Sequence, residues 1–198
     1  MDDDRLLIRP MAPADCERVA EIRVRGWRSA YQGLVPRSYL DAMSGPRDAE
    51  RHRARFAQGD GSVVNLVAEW DGEIAGWACH GPYRDGEVRT HDAELYALYV
   101  DPRRYGTGIG HALLLEALWN RTARGHERMY LWVLQGNARA RRFYERAGFE
   151  ADGAEDPFEV DGVPVPEVRY VRTLNEARES PPAPAPLPPR GPGGPGPR

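Results

Sequence analysis

The chain has no lysine. All 27 basic residues among its 198 are arginine, which excludes a P-loop, because that motif needs Gly-Lys-Ser or Gly-Lys-Thr. Cysteine is scarce too. Cys16 and Cys79 lie far apart in apolar surroundings and read as reduced core thiols, which excludes a disulfide framework. No apolar run is long enough to span a membrane. Met1 is followed by three aspartates, the wrong start for a signal peptide, so a cytoplasmic location is expected. A net charge of −3 leaves no basic footprint for nucleic acid. No nucleic-acid partner, membrane or metal is expected.

What the chain does have is concentrated between Glu94 and Phe149. Glu94 to Val100 is rich in branched and aromatic residues and stops at Asp101-Pro102, a strand and its breaker. Strict alternation would put Glu94, Tyr96, Leu98 and Val100 on one face and Leu95, Ala97 and Tyr99 on the other. Arg103, Arg104 and Tyr105 then lead into Gly106-Thr107-Gly108-Ile109-Gly110. The helix that follows aligns Gly110, Leu113, Leu114, Ala117 and Leu118 in one stripe. Glycines let a backbone approach a ligand closely, and the free N–H groups of a helix start attract anions. Together they make a phosphate cradle, with Arg103 and Arg104 placed to add charge. The spacing of Gly106, Gly108 and Gly110 is not the Gly-x-Gly-x-x-Gly of a dinucleotide fold. On the glycines alone, a tight strand-to-helix turn without a ligand stays open as the alternative.

The second half of the stretch narrows the choice. Met129 to Leu134 reads as a buried strand broken by Gln135-Gly136. Asn137 occupies an N-cap position, Ala140, Phe143, Tyr144 and Ala147 follow at helical spacing, and Gly148 closes the helix. With Tyr105–Gly110 in front of it, and Asn137, Phe143-Tyr144 and Gly148-Phe149 in this order, the chain resembles the GNAT superfamily of N-acetyltransferases over roughly Leu6 to Leu174. One position departs. Tyr105 stands where the family usually carries Gln or Arg, which removes a side-chain donor to the pyrophosphate; Arg103 or Arg104 is the expected substitute.

The resemblance implies an acetyl-CoA-dependent N-acetyltransferase. Backbone groups of Leu98 and Val100 would bond the pantetheine arm, Tyr105 to Gly110 the pyrophosphate, and Asn137 the arm from the other side. A main-chain N–H near Leu98 or Tyr99 would meet the oxyanion. Tyr144, two helical turns from Asn137, would protonate the leaving thiolate. Glu94, eleven residues before Tyr105, matches the catalytic glutamate of histone-acetylating relatives and is expected to be the general base. His91 and Asp92 are the runners-up. The position of another subgroup's glutamate is Trp132 here. Trp27, Tyr31 and Tyr39, with Tyr96 beside Glu94, are candidates for the acceptor pocket, each weighed against being an ordinary core aromatic. The acceptor is expected to be a small-molecule amine. The alternatives are a protein amine or a retired acyl-CoA-binding module. Relatives commonly dimerise, so a homodimer is in view.

The rest of the chain sets the frame. Arg5 to Arg9 reads as a first strand. A helix begins near Pro13-Ala14-Asp15, a short one runs from Pro36 to Leu40, and Arg47 to Gln58 reads as a charged, solvent-facing helix. Val63–Trp70 and Glu73–Tyr83 flank Asp71-Gly72, a strong hairpin signal. Pro82 to Asp92 reads as polar and turn-rich. After Phe149 come a strand, a loop through Asp156-Pro157 and Asp161-Gly162, and a last strand from Val165 to Leu174. The expected fold is α/β: a mixed, mostly antiparallel, twisted sheet of six to seven strands with helices on both faces, in a domain spanning 1–175. Residues 176–198 hold nine of the 18 prolines and read as a disordered tail.

Overall fold

Alternating side chains on single strands divide the core in two. Leu66 and Ala68 enter one hydrophobic cluster while Val67, between them, enters another; Ala78 and Trp77 divide the same way. This is the period-two pattern of a sheet covered on both faces. The computed structural model describes residues 5–59, 61–85 and 88–174. The proposed tail and the first four residues lie outside them.

Seven strands form one sheet in the order β1-β2-β3-β4-β5-β7-β6. They are β1 (Leu6–Pro10), β2 (Val64–Trp70), β3 (Glu73–Asp85), β4 (Val88–Val100), β5 (Arg128–Leu134), β6 (Glu150–Val160) and β7 (Val163–Thr173). All neighbours are antiparallel except β4 and β5. On one face lie α1 (Cys16–Ala30), α2 (Arg37–Ala42) and α3 (Gly45–Gln58); on the other lie α4 (Ile109–Ala123) and α5 (Ala138–Arg146). The expected class and strand number agree with this arrangement. Asp71-Gly72 turns the β2–β3 hairpin with both residues at positive φ, +52° and +81°, as a tight primed turn requires.

Three local readings need correction. Most of Pro82 to Asp92 is strand, because β3 and β4 extend their hairpin well past Tyr83. The expected loop from Asp156 to Val165 is likewise strand up to a second Asp161-Gly162 turn, at +49° and +73°. Pro157 is tolerated because β6 is an edge strand, where a missing N–H breaks no ladder. The helix from Arg47 is not simply solvent-facing. Asp48, Ala49 and His52 are buried, Asp48 pairs with Arg23 of α1, and the His52 ring meets the Trp77 ring edge-on at 5.0 Å.

Two polar contacts lock helices to the sheet. Arg121 of α4, fully buried, donates to His80 Nδ1 at 2.6 Å and to the carbonyls of His80 and Ser62 at 2.9 Å each. Burial and this cation push the His80 imidazole down to about 3, so it accepts as a neutral ring. Asp101, just past β4, is 1% exposed and accepts from Arg103 and from Arg18 of α1, at 2.8 Å each. Both cysteines are free, and burial pushes the Cys79 thiol up to about 12, which leaves it inert.

Asp101→Asn is expected to cost about 2 kcal/mol at neutral pH, measured by urea unfolding, since both guanidiniums lose a buried partner yet still reach solvent. Arg103 first, then Arg18, holds the Asp101 carboxyl well below the usual range. Its contribution is therefore complete above about pH 4 and fades as pH falls towards the depressed folded-state value. The gap between wild type and variant should narrow below pH 4; a gap independent of pH would exclude the ion pair as its source.

Candidate active site

The site begins where two strands separate. β4 and β5 pair only at Ala93–Met129 and Glu94–Tyr130. From Leu95 onward β4 keeps β3 on one side and has no strand on the other. A cavity of about 650 Å³ fills the gap. Its walls are β4 from Leu95 to Val100, the turn from Arg104 to His111, Trp132 and Val133 of β5, and α5 with its cap.

A bulge re-aims β4 at this point. Cys79 pairs with Ala97 and His80 with Leu95, so Tyr96 is the extra residue. The two-face reading of β4 fails here: Leu95 packs in the same cluster as Leu98 and Val100, while Ala97 and Tyr99 face the α1 side. Glu94 consequently does not share the Leu98–Val100 face, and the cavity wall starts one residue after it. Glu94 is 8% exposed. Its burial raises the carboxyl against the opposing pull of Arg84, whose backbone N–H donates to it at 3.5 Å. Tyr96 lines the cavity, with its hydroxyl donating to the Pro82 carbonyl. His91 is exposed, and Asp92 is held by Arg128 at 2.8 Å.

The turn from Tyr105 is shaped as a cradle. Gly106 and Gly108 have φ of +80° and +89°, and nothing stands within 4 Å of where a Cβ would project from either. The ladder of α4 opens with Ala112 N donating to Gly108 O at 3.0 Å. The N–H groups of Ile109, Gly110 and His111 lie ahead of that first bond and face out of the helix end. Of the expected cations, Arg104 lines this cavity and Arg103 does not. Arg103 is turned to Asp101. An arginine absent from the sequence reading stands at the turn instead: the Arg139 guanidinium lies 3.6 Å from the Tyr105 ring centroid.

The opposite wall is α5. Asn137 caps it, Oδ1 accepting from Ala140 N at 3.1 Å, so its amide NH₂ is the group left to donate. At the other end Phe149 N donates to Tyr144 O, and Gly148 N to Glu145 O, at 3.0 Å each, the bond pattern of a glycine-terminated helix. Tyr144 lies between the Phe143 and Phe149 rings, at 5.1 and 5.9 Å, and lines the cavity. Burial, then Tyr99, pushes its phenol well up.

On the α1 side, Tyr31 lines the cavity and Trp27 does not. Trp27 is 8% exposed and donates Nε1–H to the Tyr99 hydroxyl at 2.8 Å. Gly26 is what lets α1 pass so close, since a Cβ there would stand 2.9 Å from the Tyr99 ring. Beyond Tyr31 and Tyr99 is a carboxylate the sequence reading passed over. Glu167 of β7 pairs across to Leu134 and Asp156. Burial, then Asp156, pushes it up to about 7, and its charge is felt by both tyrosines. The only signal in sequence was an acid inside the apolar run from Val163 to Val171.

Comparison with known proteins now settles the family. The model of the acetyltransferase (GNAT) family matches residues 22–149. The chain belongs to the GNAT acetyltransferases. An uncharacterized N-acetyltransferase of Bacillus subtilis, YuaI, is 30% identical over 161 residues, covering 81% of this chain and 89% of that one. A probable N-acetyltransferase of Mycobacterium tuberculosis is 30% identical over 174 residues, covering 86% and 95%. The PaiA N-acetyltransferase of Thermoplasma acidophilum, solved with coenzyme A, shares the fold at a TM-score of 0.67 and 21% identity over 85% of this chain and 98% of that one. As a GNAT enzyme this chain is an acyltransferase, and the open cradle at Gly106 and Gly108 fits a nucleotide-linked thioester such as acetyl-CoA. No helix among the described residues is long and apolar enough to cross a membrane.

Gly108→Ala tests the cradle. Forcing a Cβ into the left-handed region is expected to cost about 1–2 kcal/mol, seen as a lower urea midpoint, and to weaken coenzyme A binding in calorimetry. A variant with unchanged midpoint and affinity would show that this turn does not need its left-handed residue.

Proposed function

We propose that this GNAT enzyme transfers the acetyl group of acetyl-CoA to a primary amine of a small molecule by direct attack. One observation carries the reading: a single cavity joins the unpaired edge of β4, the glycine turn and Tyr144. The bound thioester supplies an activated acyl carbon, and the chain does the rest. The turn's N–H groups bind the diphosphate, the free edge of β4 at Leu98 and Val100 binds the extended arm, and the Asn137 amide donates from the facing wall.

An ammonium has no lone pair, so the acceptor must lose a proton before it attacks. Glu94 is the proposed base. Its raised carboxyl is a better proton acceptor than an ordinary one near neutrality, and because it stands just outside the wall it acts through a water. Tyr144 keeps its proton across the working range and faces the departing sulfur. A small acceptor is favoured by the aromatic cluster on the α1 side, where Tyr31, Tyr39 and Phe158 lie 4.7, 5.6 and 6.1 Å from the Trp27 ring.

The test is thiol release from acetyl-CoA over a panel of amines; having no lysine, the chain offers no side-chain amine of its own to compete. Glu94→Gln should lower kcat about 10²- to 10⁴-fold and Tyr144→Phe should slow turnover with coenzyme A affinity kept. Activity that needs an ionised carboxylate rises with pH through that group's raised value, so the acidic limb should flatten in Glu94→Gln. If that limb survives in Glu94→Gln and disappears in Glu167→Gln, the base is Glu167 and the assignment to Glu94 falls. Binding of acetyl-CoA without turnover on any amine of the panel would sink the small-molecule assignment.

A further inference from the structure

Tyr105 occupies the place where relatives carry a side-chain donor for the cofactor phosphates, and a phenol ring is a poor replacement. The obvious substitutes are not equivalent. Arg103 is bound to Asp101 through Nε and Nη2, at 3.1 and 2.8 Å, and is absent from the cavity wall. Arg104 lines the cavity, but its guanidinium is 5.8 Å from the centre of the Trp70 ring, on the side of the sheet's β2 strand. Arg139 differs from both. It projects from the first turn of α5, lines the same cavity as Gly106 and Gly108, and lies 3.6 Å from the centre of the Tyr105 ring. Among the described residues no carboxylate pairs with it.

Stacking on an aromatic face restrains a guanidinium while leaving its in-plane N–H groups open. Those groups can bond two phosphate oxygens side by side in a fixed planar fork, a geometry an ammonium lacks. Leaving such a cation exposed and without an acid partner, beside a helix start with free N–H groups, is of little use to the fold.

We propose that Arg139 is the diphosphate-binding cation of this enzyme, held in place by Tyr105, which serves as its platform. The side-chain donor then comes from α5, across the cavity from the α4 turn, and residue 105 acts as its support. The proposal rests on the reading of the cavity as a coenzyme A site, and its test separates the two.

Calorimetric titration of the full chain with coenzyme A, 3′-dephospho-coenzyme A and phosphate-free pantetheine gives the answer. Arg139→Ala should weaken both nucleotides alike, on the order of ten- to a hundredfold, and leave pantetheine unchanged. Tyr105→Phe keeps the ring and should bind as wild type. Tyr105→Ala should lose part of the affinity, and the double variant should lose no more than Arg139→Ala alone, because the platform acts only through the cation. Raised salt should shrink the difference between wild type and Arg139→Ala. Loss confined to coenzyme A would assign Arg139 to the 3′-phosphate and overturn the proposal, as would equal affinities or additive losses in the double variant. A wild-type chain that bound none of the three would refute the coenzyme A site itself.

Discussion

β4 and β5 share two residue pairs and then part, and the rest of the molecule is arranged around that parting. A buried backbone edge must find hydrogen-bond partners. β3 satisfies one edge of β4 along its length, while the other faces the cavity from Leu95 to Val100. The unmet donors and acceptors are thus a fixed property of the fold and supply a binding surface without any special side chain. Side chains then refine it. The Tyr96 bulge turns the strand, Gly26 lets α1 close over Tyr99, and the α4 turn and α5 wall in the two ends.

Much of this was legible in the sequence where local chemistry decides conformation. Asp71-Gly72 is a tight turn in any context, Asn137 caps its helix, and Gly148 ends it. The glycine turn falls where its spacing puts it. Readings failed where a neighbour decides. Alternation along β4 could not foresee Tyr96, because a bulge is a relation between two strands. Proline at 157 reads as a breaker until β6 is known to be an edge. Arg47 to Gln58 carries enough charge to look solvated, yet α1 supplies the partner that lets Asp48 be buried. Arg139 and Tyr105 are 34 residues apart in sequence, and nothing local joins them.

Burial pushes each of the acids Asp101, Glu94 and Glu167 up, and the partners of each decide the net direction. Asp101 is the most enclosed, but two guanidiniums keep it ionised. Glu94 and Glu167 have burial without a matching cation contact, and both rise. The ordinary carboxylate value would mark all three as equivalent. The surroundings separate one structural anchor, held ionised, from two carboxyls that keep their protons to higher pH.

Mechanically the sheet is two stiff panels joined by a short seam. One panel is β1 to β4 and the other is β5, β7 and β6, each fastened internally by long antiparallel ladders. A seam of two pairs resists sliding far better than rotation. From there to Val100 the strand, unpaired on this edge, is a lever of about 20 Å. By that geometry a turn of about 5° moves its far end by about 2 Å, comparable to the clearance around a threaded chain. Such a turn would leave the hydrogen bonds within each panel's ladders intact.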